Sequence, residues 1–192
     1  MVNTELLSSL AEICQGRLFM YYSVFLFLSK KLKNSDIPDE LENSLKTFDD
    51  QLYNCLSTLS ADHVNILSLT EFDKDLIPSQ TPIIISNINE YFYFENHTPY
   101  YPEKPDHIVN YLYYMVSKIY NVIDFLKNND NTKITNNLKY QLRFLNVHFL
   151  PFLSKESNSE QINNFLKKLK ELIAEDYLLI KDQYLTLFNN KI

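Results

Sequence analysis

Asp106 and His107 stand side by side between Pro105 and an apolar run that begins at Ile108. A carboxylate beside an imidazole is the pairing a general base uses. Neighbours on a helix do not face each other, however, and no nucleophile motif accompanies the pair, so acid–base catalysis ranks last among the roles considered. The other side chains able to bind a metal or act as a nucleophile are His63, His97, His148, Cys14 and Cys55. None has HxxxH, CxxC or HExxH spacing, so no metal is expected, and the two cysteines, set in apolar helical patterns, read as buried free thiols. Taken alone, His107 reads as a helix-start imidazole bonded to backbone. His148, between Phe144, Leu145 and the stretch Leu150 to Leu153, reads as a partly buried core histidine.

The chain has 192 residues, enough for one domain with a sizeable core, and no linker divides it. Its single glycine, Gly16, argues against phosphate loops and dinucleotide fingerprints, which need several. Eight acids against two lysines between residues 62 and 106 account for the whole net charge of −6. That acidic middle disfavours nucleic acid, whose phosphates call for clustered Lys and Arg, and suits a cationic ligand or a solvated loop. The apolar stretch Leu18 to Leu28 is interrupted by Tyr and Ser and spans about half a membrane, so neither membrane insertion nor a signal peptide is expected, and a cytoplasmic location is.

The elements that must position these residues are helical. Leu6, Leu10, Cys14, Tyr21, Phe25 and Leu28 recur at three- and four-residue steps, predicting one helix from Thr4 to about Lys31, or two joined near Gly16. A second amphipathic pattern runs from Leu41 to Leu59, and a shorter piece from His63 to Leu69. Residues 71–104 break the rhythm with four prolines and the aromatics Tyr91 to Phe94, Tyr100 and Tyr101; irregular stretches of this length are usually functional, and a short helix is expected near Ile84 to Tyr93. Regularity returns after Pro105. Proline and an acid suit the first turn of a helix, so Pro105 and Asp106 predict a helix start there, with Ile108, Leu112, Met115, Ile119, Val122 and Leu126 on one face. A helix from Ile134 to Phe149, a break brought by Pro151 and then Ser154 to Ser159, and a terminal helix from Ile162 to Leu187 complete an all-α, single-domain bundle over residues 1–192.

Pro105, Asp106, His107, Ile108, Leu112, Tyr114 and Met115 resemble the PDHIxxELxFM signature of the TorD/DmsD/NarJ-type chaperones, which mature molybdenum-cofactor oxidoreductases. Phe144, Leu145, His148 and Leu150 to Leu153 are similar to that family's FLxxHLxxWL segment, with Phe152 where Trp is common. Arg17, Tyr21 and Phe25 resemble its first helix, and Pro82 to Ser86 echo its PPYES loop. Tyr111 stands where the family has Glu. The resemblance implies a TorD-like helical fold and a cytoplasmic, non-enzymatic chaperone without a cofactor. Such a chaperone binds the twin-arginine signal peptide of an apo-molybdoenzyme, delays its export and assists cofactor insertion, as a monomer or a domain-swapped dimer.

A signal peptide offers arginines followed by an apolar helix, so its receptor needs carboxylates beside an aromatic groove. The expected peptide-binding residues are Pro105, Asp106, His107, Tyr91, Phe92, Tyr100, Tyr101, Tyr111 and His148, with Asp106 receiving guanidinium charge and the tyrosines supplying cation–π contact. A helical adaptor for an amphipathic helix of some other partner is the alternative.

Overall fold

The first helix, α1 (Thr4–Leu32), has one face built from Leu10, Cys14, Arg17, Tyr21, Val24 and Leu28, all buried. In the computed structural model, which describes residues 4–72 and 98–189, α1 runs unbroken through Gly16. It lies along α6 (Ile108–Lys127), whose buried face carries Ile108, Leu112, Met115, Ile119 and Val122. These are the positions the three- and four-residue spacing selects, and burying each such side chain contributes about 1.5–3 kcal/mol.

Between α1 and α6 come α2 (Asp39–Phe48), α3 (Asp50–Thr58), α4 (Ala61–Asn65) and α5 (Leu69–Phe72). The pattern from Leu41 to Leu59 is thus two helices and not one. Asp49 adopts extended backbone and its side chain accepts from the Leu52 N–H, so it ends α2 and caps α3. Lys168 holds that corner with a 2.8 Å ion pair to Asp49.

After α6 the chain turns at Asn129, which takes a positive φ of 53°; Asn34, just past α1, does the same at 51°. In a chain so poor in glycine, asparagine fills the left-handed positions that stop helices. Then come α7 (Asn131–Phe144), a π-helical turn (Leu145–Phe149), α8 (Leu150–Leu153) and α9 (Glu160–Asn189). The break expected before the terminal helix falls at residues 154–159, and Pro151 lies ahead of it. It sits in the first turn of α8, directly after the π turn, and the first turn is where a missing N–H is tolerated. The long α9 packs on α3, α7 and α8, closing an all-α bundle that has no strand among the described residues.

Candidate functional site

The stretch around Asp106 is a buried clasp. His107 is the N-cap of α6, accepting from the Val109 N–H at Nδ1, while Nε2 donates to the Val64 carbonyl at 2.7 Å. That pairing fixes the neutral tautomer, and burial lowers the ring's pKa from 6.5 to about 4. His107 also forms an isolated antiparallel bridge with Ser68, and the Ile108 N–H donates to the Leu67 carbonyl.

Asp106 lies outside the helix it was expected to start. Its carboxylate accepts from both the backbone N–H and the hydroxyl of Thr70, each at 2.8 Å, and so caps α5 from across the clasp. Only 2% of the residue is exposed, and Oδ2 is occupied by Thr70. Asn110, fully buried in the first turn of α6, gathers the turn before it. Its amide donates to the carbonyls of Tyr101, Lys104 and Pro105, and its oxygen accepts from the Tyr101 N–H.

Of the residues expected to bind peptide, Pro105, Asp106, His107 and Tyr101 therefore meet at one place, with the Tyr101 ring edge-on to His107 at 5.4 Å. Tyr100 lies on another face, against Phe25 at 4.9 Å and Tyr113 at 5.8 Å, with the Lys33 ammonium over its ring. Tyr111 is in the core, 1% exposed, enclosed by Phe144, Phe149 and Phe152 at 5.3 to 5.5 Å. Burial first, and the Asp106 carboxylate second, push its phenol well above the ordinary range. Asp106, His107 and Tyr111 are thus all buried, and the polar groups of Asp106 and His107 are met by hydrogen bonds within the fold. His148 is half-buried against Phe144 at 5.8 Å on the π turn, its pKa lowered by burial and then by Arg143. Tyr91 and Phe92, the echo at Pro82 to Ser86 and the short helix near Ile84 lie outside the described residues.

A second polar cluster joins α1, α7 and α9. The Arg17 guanidinium donates to both carboxylate oxygens of Asp176, at 2.6 and 3.2 Å, and to the Gln141 oxygen at 2.6 Å. Tyr21 donates to Asp176 at 2.7 Å, and Gln141 donates onward to Asn137. Beside it, burial pushes the Cys14 thiol up, with the guanidinium pulling the other way. Sequence reasoning missed Asp176 and Gln141. Asp176 carried a signal all the same, because it sits between Ile173 and Ile180 on the buried face of α9.

The outer surface beside α1 and α2 offers different chemistry. Phe19 and Phe48 touch at 5.5 Å yet stay 38% and 42% exposed, and with Asn43, Ser44 and Thr47 they line a cavity of about 420 Å³. Among the described residues no three His, Cys, Asp or Glu side chains converge as metal ligands, and no helix is long and apolar enough to cross a membrane. No protein-family model matches the chain, and no curated protein matches it.

Proposed function

We propose that this protein is a cytoplasmic, non-catalytic chaperone that binds the twin-arginine signal peptide of an apo-molybdoenzyme, delays its export and assists cofactor insertion. The observation that carries the reading is the clasp. The residues that resemble the family's PDHI signature fasten Leu67 to Thr70 against Lys104 to Asn110, and so fix both roots of the acidic, aromatic segment between them. A binding segment rooted at one rigid point loses less entropy on capturing an extended ligand than one rooted loosely.

In this reading Asp106, His107 and Tyr111 set the frame, while Tyr91, Phe92, Tyr100, Tyr101 and residues near His148 meet the peptide. Calorimetry with a synthetic peptide bearing paired arginines before an apolar run tests it. Binding that weakens at least several-fold when both arginines become lysine is expected, because the bidentate guanidinium fork is lost. Absence of binding, or equal affinity for the two peptides, refutes the twin-arginine reading; equal affinity leaves the adaptor for a generic amphipathic helix in its place.

A further inference from the structure

The last helix has two apolar faces. Ile173, Asp176, Ile180 and Leu187 turn one of them into the bundle. On the opposite side Leu178, Leu185 and Phe188 are 63%, 45% and 49% exposed, so a second apolar stripe of α9 faces outward. Successive residues of a helix are turned by about 100°, which sets the half-buried Ala174 in line with Leu178 and Leu185. The exposed Lys170 and Lys181 then flank that line on one side, and the exposed Glu171, Glu175 and Asp182 flank it on the other.

The helix itself does not neutralise these charges. No acid stands three or four places from Lys170 or Lys181, and no base stands so from Glu175 or Asp182. Among the described residues none of the four enters an ion pair. Glu171 and Glu175, four places apart on one flank, repel each other.

A face with one basic and one acidic flank complements a second copy of itself in one sense only. Around a two-fold axis parallel to the helices, each basic flank meets the partner's acidic flank, and like residues of the central line meet each other. An antiparallel pair sets base on base and acid on acid instead. We propose that α9 is a dimer interface in which two copies pair parallel: Leu178 and Leu185 meet their counterparts, and Lys170 and Lys181 of each copy face the partner's Glu175 and the partner's Asp182. No element is exchanged between the copies, and the pairing is independent of the peptide-binding reading. The seam from Lys170 to Phe188 is about 27 Å long. A single helix pair is small beside the roughly 1,200–2,000 Å² of stable interfaces, so the dimer is reversible and forms as concentration rises.

Sedimentation equilibrium of the full chain from micromolar to millimolar concentration tests it, with thermal melts of dilute protein as the check on folding. The natural chain is expected to pass from monomer to dimer. Leu178→Ser combined with Leu185→Ser weakens association about tenfold or more, while the melt of these exposed positions stays as it was. Lys181→Glu puts acids on both sides of the seam and Asp182→Lys puts bases on both, so each alone associates several-fold less tightly. An equimolar mixture of those two variants sets opposite charges face to face again and recovers the natural affinity. A natural chain that stays monomeric throughout overturns the proposal, as does a dimer that the leucine variant leaves equally tight, since its contact then lies elsewhere. If the leucine variant weakens association but the mixture associates no better than either charge variant alone, the parallel pairing is overturned.

Discussion

Replacing Asp176 by Asn tests the buried cluster with almost no change in shape. The carboxylate accepts two bonds from Arg17 and one from Tyr21, and Arg17 and Asp176 are 5% and 6% exposed. The amide keeps the size and removes the charge, leaving the guanidinium buried without its counter-ion. Breaking a buried pair in this way costs about 3–5 kcal/mol. In a chain of this length each kcal/mol lowers the melting point by about 2–4 °C, so a drop on the order of 10–15 °C is expected. Circular dichroism at 222 nm during thermal and urea unfolding reads it. Removing the charges together, as Arg17→Met and Asp176→Leu with Tyr21→Phe, is expected to recover at least half the loss, because no desolvated charge remains. An Asp176→Asn protein within about 1 kcal/mol of the natural one would refute the reasoning, as would a triple variant no more stable than the single.

His107 makes stability depend on pH. Its folded pKa of about 4 lies below the ordinary 6.5, so the unfolded chain takes up the proton first, and stability is full above pH 6.5 and falls as the pH drops toward 4. Between pH 6.5 and 5 the loss is about 1.5 kcal/mol, because the unfolded ring is already half protonated at the upper pH, and His148, lowered for the same reason, adds to it. Urea titrations of His107→Asn at the two pH values are expected to show a clearly smaller loss; the same loss as in the natural chain would count against a buried neutral ring. At Tyr111, a buried charge is the informative change. Tyr111→Glu puts a carboxylate among three phenylalanine rings and is expected to abolish cooperative unfolding, while Tyr111→Phe stays within about 1.5 kcal/mol of the natural chain in the same assay.

Helix periodicity located α1, α6 and α9 to within a few residues, because each buries one long apolar stripe. It failed where a single polar side chain redirects the backbone. Asp49 splits the second pattern by capping, and no hydrophobic spacing reports that. Pro151 looked like the start of the break before α9, but the π turn before it places its ring in the first turn of a helix. The same limit applies to the candidate site. Asp106 and His107 were visible as special residues, yet whether a carboxylate faces water or Thr70 depends on what α5 places opposite it, across a separation of 36 residues. Nothing in the apolar spacing marks Phe19 and Phe48 as exposed.

Thr70 and Asp106 share two hydrogen bonds across those 36 residues, so whatever sequence lies between them starts and finishes at a single anchored junction. Lengthening a flexible insert costs only about 0.6 kcal/mol for each doubling. The anchor itself, with Asp106, His107 and Asn110 buried and bonded, tolerates little change. The two ends of that stretch are therefore held together whatever its length, and the helical frame keeps its boundary at Thr70 and Asp106.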